Sequence, residues 1–154
     1  MKTELFPTAA QVAAGAAAYL ENQIREALTH QSFYSLAISG GRTPWEMLKL
    51  LSKADLPWQR VNLFQVDERV APDGHADRNL TQLFQVIAGT TMVTQLRIFP
   101  IPVLAEDLEE GCREYTQVLD EVTEGKGLDL IHLGLGSDGH TASLVPGDGV
   151  LEIQ

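Results

Sequence analysis

The order of apolar and helical segments predicts an α/β domain, with a mostly parallel sheet and helices on both faces. Two observations carry this reading. Short strand-like runs alternate with helix-spaced segments along the chain, which implies βαβ crossovers. Three of the loops that follow strands carry glycines and chemically active side chains, as expected where a parallel sheet presents its carboxyl ends to a ligand. With 154 residues, 44% hydrophobic and 21% charged, the chain suits one domain with a substantial core, taken as residues 1–154. No internal repeat, low-complexity segment or linker divides it.

The elements follow in order. An Ala-rich segment from about Ala9 to Thr29 has helical character. "YSLAIS", Tyr34 to Ser39, reads as a strand stopped by "GGRTP". "WEMLKLLSK" has helical spacing, with Pro44 placed at the helix start. "VNLFQV", Val61 to Val66, reads as a second strand that runs into the charged loop "DERVAPDGHAD". "RNLTQLFQVIAG" predicts a helix closed by Gly89, and "LRIF" a third strand ended by Pro100. "LAEDLEEGCREYTQVLDEVTEG" predicts a helix that stops at Gly125. "LDLIHLG", Leu128 to Gly134, reads as a fourth strand. His132 within it reads as a packed strand histidine.

Charge and composition exclude several classes. The net charge is -10 and the pI about 4.7. That argues against nucleic-acid and anionic-membrane partners, which need clustered Lys and Arg. It leaves room for a small phosphorylated ligand, which one helix N-terminus or one loop of backbone N–H groups can hold. No apolar run approaches the roughly 20 residues that span a bilayer. The opening "MKTELFPTAAQVAAGAAAYL" lacks a Leu-rich centre and is interrupted by Glu4 and Gln11, so it reads as a helix of a cytoplasmic protein. The lone Cys112 excludes an internal disulfide and a cysteine-based zinc site, and reads as structural. Nothing in the sequence specifies an oligomeric state.

Three loops carry the chemistry. In "SGGRTP", Gly40 and Gly41 let a ligand approach the backbone, Ser39 and Thr43 offer hydroxyls, and the next helix offers free N–H groups. The loop suits a phosphate, or else is a tight turn capped by Thr43. It is not a Walker loop, because the required spacing is absent. "DERVAPDGHADRN" places Asp67, Glu68 and Arg69 just beyond a strand. Arg69 could hold an anion and Asp67 orient a base or a hydroxyl; the alternative is a solvated loop with a local Asp–Arg pair. Asp73, His75 and Asp77 have no second cluster to complete a metal site, so His75 reads as a surface residue and no metal is expected.

The third loop, "GLGSDGHTASLVPG", opens with a G-x-G-x-x-G pattern. A dinucleotide fold would then need a long helix, a further strand and an acidic residue about 20 positions on. Pro146 interrupts that course, and the nucleotide reading fails on length. What remains is a glycine-rich turn presenting Asp138, Gly139, His140, Thr141 and Ser143. Histidine is the side chain most suited to proton transfer near neutral pH.

Together, "SGGRTP", "DERVAPDGHADRN" and "GLGSDGHTASLVPG" resemble, in order and separation, the motifs of the 6-phosphogluconolactonase family. The resemblance covers essentially the whole chain. It implies a Rossmann-like fold related to the sugar-phosphate isomerases. It also implies hydrolysis of 6-phospho-D-glucono-1,5-lactone to 6-phosphogluconate in the pentose phosphate pathway, with no cofactor and no metal. His140 would be the acid/base, with Asp67 and Arg69 flanking the reacting end of the sugar. Ser39, Gly40, Gly41, Arg42 and Thr43 would line the phosphate site, and Asp138, Gly139, Thr141 and Ser143 would complete the substrate contacts. Arg42, Val145 and Arg78 depart from the usual residues of the motifs. Members of the family run longer, so the chain is expected to lack a C-terminal part, with an unpaired sheet edge and an uncovered apolar face. Two alternatives stand beside this reading. An aminosugar-6-phosphate isomerase or deaminase usually carries Asn-Glu in this loop, where "HTASLVP" does not; a non-catalytic sugar-phosphate-binding module would bind without turnover.

Overall fold

The computed structural model describes residues 2–153. Helix α1 (Ala9–Ala27) opens the chain, followed by β1 (Tyr34–Ile38), α2 (Arg42–Leu51), a short 3-10 turn at Trp58–Arg60 and β2 (Val61–Gln65). Then come α3 (Asn79–Ile87), α4 (Thr91–Gln95), β3 (Arg97–Phe99), α5 (Leu108–Thr123), β4 (Leu130–His132) and a 3-10 turn at Gly149–Glu152. The four strands form one sheet in the order β3-β2-β1-β4, and every pairing is parallel.

That order places the helices. The chain steps β1 to β2 to β3 in one direction and then returns past β1 to β4. Right-handed crossovers then put α2, α3 and α4 on one face and α5 on the other. Side-chain alternation agrees. Tyr34, Leu36, Ile38, Val61 and Leu63 join one apolar core with Ala13, Leu20 and Ile24 of α1 and Met47, Leu48 and Leu51 of α2. The buried residues of α1 recur at Ala13, Ala17, Leu20 and Ile24, the spacing of a single helical stripe. Phe64 turns to the opposite face, stacks on Phe99 at 4.8 Å and meets Tyr115 of α5 edge-on at 6.1 Å. The Tyr115 hydroxyl donates to the Gln65 carbonyl at 3.1 Å and accepts from the Gln65 N–H at 3.1 Å, pinning α5 to the end of β2. Burial pushes that phenol up to about 12, so it stays a neutral donor across the physiological range.

Helices α1, α2, α3 and α5 and all four strands fall where the sequence places them. Two short elements were not foreseen: α4 and the turn at Trp58. Each is too short to show a period, and each is held by one deeply buried side chain, Met92 at 2% and Trp58 at 1% exposure. The expected apolar surface is present at β4, which has one strand neighbour: Ile131 and Leu133 are 55% and 53% exposed on the face that α5 leaves open.

Candidate active site

In a parallel sheet the crevice opens at the carboxyl ends of the two strands where the chain changes direction. Here those strands are β1 and β4, and the loops that follow them are "SGGRTP" and "GLGSDGH". The loop after β2 closes the third side. The result is a cleft of about 750 Å³ bordered by Ser39 to Trp45, Asp67, Arg69, Asn79, Gln82, His132 to Gly136 and His140. Ser39, Gly40, Gly41, Arg42, Thr43, Asp67, Arg69 and His140 were all expected at the site, and all border this cleft.

Its first wall is the start of α2. Thr8 caps α1 and Asp107 caps α5, but the cap of α2 is Gly41, at φ 130°, with no side-chain hydrogen bond. The expected alternative of a turn capped by Thr43 is therefore corrected: Thr43 lies inside the first turn and caps nothing. Helix N-terminal N–H groups without a cap, beside the exposed Arg42, make a place for an anion. Gly40 is required by close approach, since a Cβ there would overlap the Asn79 side chain.

The second wall overturns the picture of a solvated charge run. The Glu68 side chain has 0% exposure and is the cap of α3. Its carboxylate accepts from the N–H groups of Asn79 at 2.7 Å, Leu80 at 2.9 Å and Arg69 at 2.8 Å, and from Gln65 Nε2 at 3.0 Å. Burial alone would raise its pKa; the hydrogen bonds from Gln65 and these backbone groups outweigh it and hold the carboxyl below its ordinary value. Arg78, which departs from the usual motif residue, is buried at 3% and lies with Nε 3.5 Å from Glu68 and Nη1 3.4 Å from Asp73. No Asp67–Arg69 pair forms: Asp67 accepts instead from Ser143 Oγ at 3.1 Å. Asn79 Nδ2 donates to the Asp67 carbonyl at 3.1 Å, so Asn79 wedges between the first two loops. Asn79 was not among the expected site residues; the "DRN" segment was the signal that could have found it.

The third wall is the histidine loop. Gly136 N–H donates to the His140 carbonyl at 2.8 Å, and Thr141 Oγ1 donates to the Gly134 carbonyl at 2.9 Å. These bonds fold the loop back so that the imidazole lies over Gly136, where a Cβ would overlap the ring. His140 Nδ1 lies 2.5 Å from Asp138 Oδ1. The hydrogen bond from His140 keeps the Asp138 carboxyl below its ordinary pKa, so it is ionised and can only accept. Nδ1 is then the protonated nitrogen of the neutral ring, and Nε2 carries the free lone pair. Asp138, Gly139, Thr141 and Ser143 do not border the cleft: Asp138 orients His140, while Thr141 and Ser143 tie the loop to Gly134 and Asp67. His132, by contrast, does border it.

An all-parallel α/β domain with an uncapped helix start, a buried carboxylate clamp and an oriented histidine around one switch-point cleft defines a Rossmann-like ligand-binding class. The chain belongs to the glucosamine-6-phosphate isomerase/6-phosphogluconolactonase family, whose model matches residues 7–154. It is 34% identical over 151 residues to a 6-phosphogluconolactonase of Pseudomonas aeruginosa, covering 97% of this chain and 62% of that protein. A 6-phosphogluconolactonase of Neisseria meningitidis is 31% identical over 142 residues, covering 92% of this chain and 60% of that one. Among solved structures, a 6-phosphogluconolactonase from Shewanella baltica superposes with a TM-score of 0.81 at 25% identity, over 96% of this chain and 62% of that one. A monomeric glucosamine-6-phosphate deaminase shares the fold, with a TM-score of 0.76 at 22% identity over 92% of this chain and 58% of that one. The chain thus spans less than two thirds of the length of these relatives. Among the described residues, no helix is long and apolar enough to cross a membrane.

Proposed function

We propose that the protein hydrolyses 6-phospho-D-glucono-1,5-lactone to 6-phosphogluconate. The observation that carries this reading is the Asp138–His140 pair at the mouth of a cleft whose far wall is the uncapped start of α2. The phosphate takes the N–H groups of the α2 start and Arg42. The lactone end then lies toward His140, Asp67 and Arg69. His140 Nε2 removes a proton from water as its oxygen bonds to the lactone carbonyl carbon. The carbonyl becomes a tetrahedral oxyanion, which Arg69 stabilises. Collapse re-forms the carbonyl and breaks the bond to the ring oxygen, which takes the proton back from His140. The histidine is restored, and proton transfer in this scheme calls for no metal or cofactor. The proposed setting is the cytoplasm.

The test follows lactone loss by the full-length protein in excess chelator, corrected for spontaneous hydrolysis. Catalysed loss is expected, with no ammonia release from glucosamine 6-phosphate. A rate equal to buffer from folded protein would defeat the reading in favour of a binding module.

Arg42→Ala is expected to raise KM far more than it lowers kcat. Removing one charge-assisted contact costs about 1.5–3 kcal/mol, or roughly 10- to 150-fold in affinity. Steady-state kinetics checks this: an unchanged KM with a collapsed kcat would place Arg42 at the reacting end instead.

A further inference from the structure

We propose that His132 is a second substrate ligand, whose imidazole hydrogen bonds to a hydroxyl of the bound sugar acid. This rests on the sugar-phosphate reading of the cleft and adds a residue that the three loops do not contain. His132 ends β4, pairs in register with Ile38, and its carbonyl accepts from the Ser39 N–H at 3.2 Å. Alternation puts its ring on the face of Leu130, which packs against the main core. The equivalent positions of β1 on that face are Leu36 and Ile38, both apolar and buried. A histidine at such a place introduces polar atoms that packing does not need. Its Nδ1 is sealed from solvent and has no hydrogen-bond partner among the described residues. Ser39 Oγ, on a residue 4% exposed, is in the same condition. Both residues border the cleft.

An unpartnered buried polar group is costly, and most are paired in folded proteins. Two of them, on neighbouring strand ends, lie just behind the cleft surface, where a small side-chain turn on binding brings them to a ligand that supplies the missing partners. The chemistry of the ring selects the class of partner. Burial lowers the pKa of His132, so the ring is neutral at neutral pH and carries one donor and one acceptor. A hydroxyl matches both. A phosphate can meet only the protonated nitrogen and gains no charge assistance from a neutral ring, so it is better held by Arg42 and the α2 start.

Calorimetric titration of the full-length protein with 6-phosphogluconate and, separately, with inorganic phosphate tests this. His132→Leu is expected to weaken 6-phosphogluconate binding about 3- to 10-fold, the loss of one neutral hydrogen bond. Inorganic phosphate binding should be unchanged, and His132→Gln should recover part of the loss. Ring-nitrogen NMR of the unsubstituted protein gives a reading independent of any variant: the His132 signals should move with 6-phosphogluconate and stay in place with phosphate. Unmoved ring signals, or equal 6-phosphogluconate binding by His132→Leu, overturn the role of His132 while leaving the cleft assignment standing. An equal loss for both ligands would make His132 structural. Failure of the unsubstituted protein to bind either ligand would remove the cleft assignment and this role with it.

Discussion

His140→Ala is expected to lower kcat by roughly 10²–10⁴-fold, the share that a positioned acid/base contributes. The thermal midpoint should hardly change. Among the described residues the ring's side-chain hydrogen bond is to Asp138, at the exposed mouth of the cleft, and the ring joins no apolar core. A companion variant separates the presence of the imidazole from its placement. Gly136→Ala puts a methyl group where the His140 ring now lies. The ring is the mobile end of a side chain and can swing aside, so the fold survives, but the imidazole leaves its present place at the cleft. Misplacement of this kind can cost about 10²-fold in kcat with His140 still present. Lactone kinetics and thermal denaturation of both variants check the pair. Retention of full activity by Gly136→Ala would show that the loop conformation seen here is not the one used in turnover.

Glu68→Ala is expected to destabilise the protein by about 3–5 kcal/mol, the cost of breaking a buried charge pair by removing one partner. The substitution strips a cap from α3, leaves the Asn79 and Leu80 N–H groups without their acceptor, and removes the Glu68 carboxylate beside the buried Arg78, which keeps its contact with Asp73. Domains of this kind are stable by about 5–15 kcal/mol in all, so the loss is a large fraction of the total. Denaturant titration measures it; a loss within 1 kcal/mol, on the order of an ordinary surface change, would show that water replaces the clamp. The pH dependence has a fixed sign. The folded pKa lies below the unfolded one, so the stabilisation is complete above the unfolded value of about 4.3 and fades as pH falls through the folded value. The difference in stability between the native protein and Glu68→Gln should therefore shrink on acidification below about pH 4.

How far the site was legible depends on the range of the interactions that make it. Glycines and hydroxyls in "SGGRTP" announce their use through local backbone demands, and Gly41 indeed sits at φ 130°. His140 was legible for the same reason, since its partner Asp138 is two residues away. Glu68 was not. Its acceptor role joins it to residues 11 and 12 positions on, and nothing in "DERV" distinguishes a buried cap from a solvated charge. Asn79 and His132 were missed likewise, because each reaches the site through a neighbouring strand or loop.

The alternation of apolar runs and helical spacings was enough to specify an α/β layering with a mostly parallel sheet, because period and strand burial are properties of adjacent residues. The order of the three loops along the chain was enough to indicate the family. Which side chains face the cleft was settled by the return of the chain from β3 past β1 to β4, since that step alone creates the switch point. It also separated residues that look equivalent in sequence. Asp67 and Glu68 are neighbours, yet one borders the cleft and the other is buried beneath it. Successive side chains at a strand end point to opposite sides, and only the elements packed against each side determine which becomes a ligand and which a support.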